Sequence, residues 1–309
     1  MRPLTCFIAA GMLAVSALPS RASAATAYGE AFDTLYKIDL DEARATELGQ
    51  TGYYRGSRLG NVSGLSMDAN GALYAVVGGL NKLLVRIDPT NGGTNVIGNL
   101  GLDGQGSGQY DSLDLNMTAG CDNTLWLSSA IANKLWKVDP GTGAATPVGA
   151  TGRTITGLVA RGDRLYGAGG KGDNTFYRID PATGAATPIG PFGPAVTRWV
   201  NSVSMGFDAS GTLWAVINYM PPENDSKPAV DWADLATINP ATGAVTLLRP
   251  IQGPESLRQI GMKGFTVGPP QCARAAEAQP APVGSPWTLA LLGLLLAGVG
   301  LGGMRRATR

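Results

Sequence analysis

One phrase recurs along the chain, and repetition at its spacing leaves few folds open. It reads Leu-Val-Arg-Ile-Asp-Pro at 84–89, Leu-Trp-Lys-Val-Asp-Pro at 135–140, Phe-Tyr-Arg-Ile-Asp-Pro at 176–181 and Leu-Ala-Thr-Ile-Asn-Pro at 235–240. A fifth copy, Leu-Tyr-Lys-Ile-Asp at 35–39, lacks the proline. Each copy runs into a Gly-bearing turn and a short β-branched segment. Asp or Asn starts such a bend, Pro fixes φ and Gly takes the left-handed position, so each copy predicts a hairpin. Upstream of the four later copies a second turn leads into an aromatic-bearing strand at Tyr74, Trp126, Tyr166 and Trp214. Before most of these runs a strand of small residues, such as Val-Ser-Gly-Leu-Ser at 62–66.

Four strands per unit, with the Asp/Asn positions 39, 88, 139, 180 and 239 spaced by 49, 51, 41 and 59 residues, is the period of a β-propeller blade. The expected fold is all-β and five-bladed. The blades are 25–49 joined by 260–268, then 62–98, 113–149, 154–190 and 201–249, with six blades the alternative if 99–112 hides strands. Closure follows from the ends. Residues 27–29 open as a second strand with no first, and 260–267 form an inner strand with no successor, so the last strand should complete the first blade and leave no free edge. Tyr74, Trp126, Tyr166 and Trp214 are expected to pack blade on blade, with Lys37, Arg86, Lys137 and Arg178 snorkelling between blades.

Both ends carry targeting patterns. Residues 1–24 combine Arg2, an apolar stretch and an Ala-Ser-Ala ending, which fits a secretory signal cut after Ala24. The propeller is expected over 25–272, a linker with a sorting motif over 273–286, a transmembrane helix over 287–304 and a basic cytoplasmic tail over 305–309. The almost uninterrupted apolar run from Trp287 to Gly303, about 17 residues at ~1.5 Å each, reaches ~26 Å, just enough for a thin bilayer. Its arginines keep that end in the cytoplasm and the domain outside. Removing Arg2, Arg21, Arg305, Arg306 and Arg309 takes the basic residues from 24 to 19 against 23 acidic ones, net −4, which disfavours nucleic acid as a partner. The absence of any histidine excludes imidazole as base, nucleophile partner or metal ligand.

The blade phrases resemble the NHL, YVTN and gluconolactonase-like propellers over roughly residues 25–268. That resemblance implies a central channel which in gluconolactonase-like members holds a divalent metal. Asp114, Asn116 and Asn201 are the candidates for such a site, and a metal-dependent lactonase or hydrolase is the alternative function; streptogramin-lyase relatives depend on histidine, absent here. The tail resembles the IPTL-CTERM sorting signals, related to PEP-CTERM, through Pro282, Ser285 and Trp287 ahead of the apolar run and Arg305 and Arg306 behind it. This implies a Gram-negative envelope protein, transiently anchored in the inner membrane by its C-terminal helix and processed by an exosortase-like protease.

The leading expectation is a non-enzymatic exported propeller, a binding, surface or matrix component without cofactor. Arg58, Arg153, Arg198 and Arg258 precede inner strands, and Lys82, Lys134 and Lys171 fall in second-to-third-strand turns, so all seven should share one rim. Guanidinium groups there favour an anionic ligand or polysaccharide. The competing reading is that the arginines pair with Asp103, Asp111, Glu223, Asp225, Asp231 or Glu255 and only hold blades together. The opposite face receives the Asp-bearing turns. Cys121 and Cys272 both belong to that Asp face and are expected to form a disulfide, favoured by export.

Overall fold

The computed structural model describes residues 26–219, 233–254, 261–270 and 272. Five four-stranded antiparallel sheets stand around a ring. The first blade takes β1 (Ala27–Ala31), β2 (Thr34–Asp39) and β3 (Arg44–Gln50). A short hairpin, β4 (Tyr53–Tyr54) and β5 (Ser57–Arg58), leads to the second blade. That blade is β6 (Val62–Met67), β7 (Leu73–Gly78), β8 (Lys82–Ile87) and β9 (Thr94–Asn99). The third is β10 (Leu115–Ala119), β11 (Leu125–Ser129), β12 (Lys134–Val138) and β13 (Ala145–Ala150). The fourth is β14 (Gly157–Arg161), β15 (Arg164–Ala168), β16 (Thr175–Ile179) and β17 (Ala186–Pro191). The fifth is β18 (Val200–Phe207), β19 (Leu213–Tyr219), β20 (Ala233–Ile238) and β21 (Val245–Pro250).

β22 (Gly264–Val267) then pairs antiparallel with β1, Ala27 opposite Val267 and Glu30 opposite Gly264, and supplies the missing inner strand of the first blade. The connection 99–112 contributes only a bridge between Ser107 and Ser112, so the count is five. No helix occurs among the described residues. The expected signal peptide, linker, membrane helix and basic tail lie outside them, with Pro282, Ser285, Trp287, Arg305 and Arg306.

Two devices copied from blade to blade hold the ring. Between third and fourth strands every blade carries a register shift, which leaves Leu48, Ile97, Val148, Ile189 and Leu248 as the bulged residues. In the first four blades the next residue is Gly49, Gly98, Gly149 or Gly190, set against the hairpin turn of the following blade. A Cβ at Gly149 would lie 2.0 Å from the carbonyl oxygen of Thr183. In the fifth blade the equivalent residue is Arg249, and the closing seam uses backbone bonds instead: Ala45 N–H to the Gln252 carbonyl at 2.6 Å and Gln252 N–H to the Ala43 carbonyl at 2.7 Å.

The second device stitches the inner strands. Ser63 Oγ donates to the Leu115 carbonyl, Asn116 Oδ1 accepts from Leu158 N–H, Thr118 Oγ1 from Ala160 N–H and Thr156 Oγ1 from Val203 N–H, while Ser204 Oγ donates to the Lys263 carbonyl. The small polar residues of these strands are therefore hydrogen-bonded across the blade seams, as buried polar groups require. Apolar side chains fill the seams on either side, Leu35, Leu59, Val62 and Leu65 between the first and second blades for instance.

The aromatic residues of the second strands are buried, as expected, at Tyr74, Trp126 and Tyr166. Their basic partners differ from expectation. Lys37, Arg86, Lys137 and Arg178 stand opposite Tyr28, Tyr74, Trp126 and Tyr166 within the same sheet, with their residues exposed rather than inserted between blades. Lys137 Nζ lies 4.9 Å from the Trp126 ring centroid and Arg178 Cζ 6.0 Å from that of Tyr166, cation–π pairs across one ladder.

Candidate functional site

Antiparallel blades divide their connections between two faces. First-to-second and third-to-fourth turns emerge on one face; second-to-third turns and blade-to-blade connections emerge on the other. On the turn face the repeated acids are engaged by their own backbone. Asp68 Oδ1 accepts from the N–H groups of Asn70 and Ala72, Asp139 Oδ1 from Gly141 and Thr142, and Asp208 Oδ1 from Ser210 and Thr212. Hydrogen bonds from Thr90 hold the Asp88 carboxyl below the usual carboxylate range, and the Ala182 N–H and Thr183 hydroxyl do the same for Asp180. These are Asx turns, and they explain the recurring Asp as a fold requirement.

The same face carries the disulfide between Cys121, in the β10–β11 turn, and Cys272, just past β22, with Cα atoms 5.1 Å apart. That separation lies within the ordinary range for such a bridge. It ties the closing strand to the third blade.

The other face is built differently. Just before each inner strand stand Asn61, Asp114, Thr156, Trp199 and Lys263, one per blade, at the mouth of the channel. Three of these, Asn61, Asp114 and Lys263, line a cavity of about 190 Å³ with Lys171, Ser112 and Ile131. Lys171 Nζ lies 2.6 Å and Lys263 Nζ 3.9 Å from the Asp114 carboxylate. Two ammonium groups thus share one carboxylate in a solvent-open pocket, which leaves it net positive.

The backbone there is held in an uncommon state. Asn61 (φ +58°), Asp114 (φ +49°) and Lys171 (φ +56°) all lie in the left-handed region. Asn and Asp adopt this region readily, whereas for Lys171 it costs about 1–2 kcal/mol. Lys171 is fixed further by its N–H, which donates to the Val200 carbonyl at 2.8 Å.

A wider cleft of about 320 Å³ opens beside this cavity, lined by Arg58, Leu80, Asn81 and Tyr110. Asn61 and Ser112 line both spaces. Tyr110 is 61% and Leu80 65% exposed. Trp199, 48% exposed, lies against Gly172, the neighbour of Lys171: a Cβ at Gly172 would be 3.4 Å from its indole nitrogen.

The seven rim residues expected from sequence separate. Lys171 enters the cavity and Arg58 the cleft. Arg58 pairs with Asp33 at 3.5 Å, bonds Gln50 and Tyr53, and lies over the Tyr53 ring; its acid is none of the six expected. Lys82 is a correction. It begins β8 with its side chain turned inward, fully buried, and forms an ion pair with Asp111, whose carboxyl is held below its usual range by that contact and by the Gly104 and Gly106 N–H groups. It braces the 100–114 connection rather than facing a ligand. Arg153 and Lys134 are exposed, Arg198 lies over the Tyr219 ring at 3.8 Å, and none of the three lines the cavity or the cleft. Arg258 lies outside the described residues, as do Glu223, Asp225, Asp231 and Glu255.

Two of the three candidate metal ligands are already engaged by other groups of the protein. Asn116 Oδ1 is committed to Leu158 N–H at 3.0 Å, Asp114 to two ammonium groups, and Asn201 sits at the register shift between β18 and β19. A hard cation prefers several oxygens of net negative charge, and the single carboxylate of this set, Asp114, is already offset by Lys171 and Lys263. Among the described residues no group of three or more Cys, Asp or Glu side chains could hold a metal ion.

One carboxyl escaped notice in the sequence. Glu30 on β1 is fully buried, and neither carboxylate oxygen has a hydrogen-bond partner. Its Cβ sits beside Gly264 and Leu65 at the seam of the first and second blades. Burial, with Asp33 nearby, raises its pKa to about 8.

Among solved structures the chain is similar to a nidogen/laminin complex (13% identity, 80% of this chain and 99% of that chain, TM-score 0.49). It is similar also to a protein of unknown function from Bacteroides thetaiotaomicron VPI-5482 (17%, 62% and 53%, TM-score 0.43), about half of whose length it spans. A third is a catalytically inactive virginiamycin B lyase from Staphylococcus aureus with quinupristin (17%, 71% and 64%, TM-score 0.39). These likenesses extend to the fold alone. No curated protein matches the sequence. A family model described as a repeat of unknown function, DUF6923, matches residues 68–256, more than half of the 309 residues. Its span runs from the first-to-second-strand turn of the second blade through the fifth, so by the repeated unit that builds its ring the chain belongs to the DUF6923 family.

Proposed function

We propose that this propeller is an exported cell-envelope component that binds an anionic ligand at its channel mouth without transforming it. The observation that carries the reading is the convergence of Lys171 and Lys263 on Asp114 in an open cavity, on a backbone held in the left-handed region at three positions. An incoming carboxylate, sulfate or phosphate gains charge-assisted bonds from ammonium groups that the fold has already gathered. Residues 1–24 and the tail from Pro282 support export and processing by an exosortase-like protease.

Titration of the purified full-length protein with galacturonate, followed by ligand-observed NMR, tests the reading. Binding is expected in the parent and at least a tenfold loss in a Lys171→Met, Lys263→Met double variant. Absence of binding in the parent, or equal binding in both proteins, overturns it.

A further inference from the structure

The channel-mouth cavity is too small to account for the surface around it. Seven large hydrophobic residues are exposed among the described residues, and six of them, Phe32, Tyr53, Leu80, Tyr110, Ile131 and Trp199, lie in second-to-third-strand turns or blade-to-blade connections. They therefore share the face that bears Lys171 and Lys263. The seventh, Leu248, is on the outer strand β21. Exposed apolar groups gathered on one face are a feature of binding surfaces.

Several of them adjoin one another through shared neighbours. Tyr110 and Leu80 flank the cleft; Asn61 and Ser112 join the cleft to the cavity; Lys171 and Lys263 occupy the cavity with Ile131; Trp199 borders Lys171 through Gly172. The order is ring, amide and hydroxyl, cation, ring. A compact anion uses only the central part. A nucleotide or a fatty acid matches it less well, because a nucleotide asks for a closed aromatic slot and an acyl chain for a dry tunnel. A chain of uronic acids matches every part. Each pyranose offers an apolar face to an aromatic ring, hydroxyls to an amide or a serine, and one carboxylate per residue to an ammonium group.

We infer that the track from Tyr110 through Lys171 and Lys263 to Trp199 binds a linear uronic-acid polysaccharide, with sugar rings laid on Tyr110 and Trp199 on either side of carboxylates held at the channel mouth. This rests on the anion-binding reading above and adds to it the two ring subsites and the polymeric character of the ligand. Arg58, stacked over Tyr53 beside the cleft, borders the track on the Tyr110 side.

The test compares galacturonate with trigalacturonate on the full-length protein and its Tyr110→Ala and Trp199→Ala variants, with Tyr110→Phe and Trp199→Phe as conservative controls. Tyr110 and Trp199 are both substantially exposed, so their truncation leaves the core intact. The trimer is expected to bind at least tenfold tighter than the monomer. Each alanine variant should lose three- to tenfold for the trimer only, and the phenylalanine variants should retain trimer affinity. A trimer no tighter than the monomer, or aromatic variants without effect on it, overturns the inference while monomer binding leaves the anion site standing. If the parent binds neither, both readings fail together.

Discussion

The two faces of the ring use the same blades for opposite ends. On the turn face one solution is copied: an Asp or Asn accepts hydrogen bonds from backbone groups two to four residues ahead, at Asp68, Asp88, Asp139, Asp180, Asp208 and Asn239 alike. These contacts are local and leave little chemistry spare. On the cleft face the equivalent positions diverge. Asn61, Asp114, Thr156, Trp199 and Lys263 each directly precede an inner strand and differ in chemistry from blade to blade. Repetition serves stability where each blade has the same task, and the loops of the other face are free of that task and diverge.

The largest effect that would sharpen this contrast lies on the turn face. Reducing the Cys121–Cys272 bridge, or replacing both cysteines with Ser, should lower unfolding stability by about 2–5 kcal/mol, since it closes a long loop, while binding at the opposite face persists. Denaturant titration with and without dithiothreitol measures it. Loss of ligand binding at full folding would break the division between faces.

Next comes Glu30, buried near the cleft side of the first blade. Its carboxyl keeps its proton to about pH 8 in the folded protein but releases it near 4.5 once unfolded. Its contribution to stability is therefore complete below pH 4.5 and is lost as the pH rises through 8. Thermal melts from pH 5 to pH 9 should show a fall on the order of 2–4 kcal/mol from this group, from the cost of about 1.4 kcal/mol per pKa unit. Glu30→Gln should flatten that slope, and equal slopes in both proteins would contradict the assignment.

The smallest effect concerns one turn. Asp208 caps the β18–β19 turn and accepts from the Trp214 indole at 2.8 Å, so Asp208→Ala should cost about 1–2 kcal/mol. Calorimetry of the variant checks it, and an unchanged midpoint would mean that the repeated acid has a task other than the turn.

The architecture was legible because it is local and repeated. The Ile-Asp-Pro phrases mark third strands running into hairpin turns, and the unpaired segment at 260–267 announced closure, which β22 performs with a somewhat shorter strand. The site was less legible, because its parts lie in different blades. Asp114 and Lys171 were each singled out, one as a metal ligand and one as a rim cation, yet no spacing rule says that they meet. Lys263 precedes a strand recognisable only by closure. Lys82 misled because a strand's first residue can point inward as readily as outward; alternation decides, and here it aims the ammonium at Asp111. Burial of Glu30 depends on the neighbouring blade and leaves no mark in its own strand. Among the described residues, the position before each inner strand is the sequence signal that would have gathered the mouth.

The pairing of Ala27 with Val267 joins residues 240 positions apart. A chain emerging from the ribosome or a translocation pore N-terminus first must hold its opening strands without their inner neighbour until nearly the whole domain has appeared. Blades two to five can condense in order as they arrive, but the first cannot. The final step is thus a slow, long-range search, and a nascent product halted before Gly264 presents an open strand edge along β1, a ready template for intermolecular pairing.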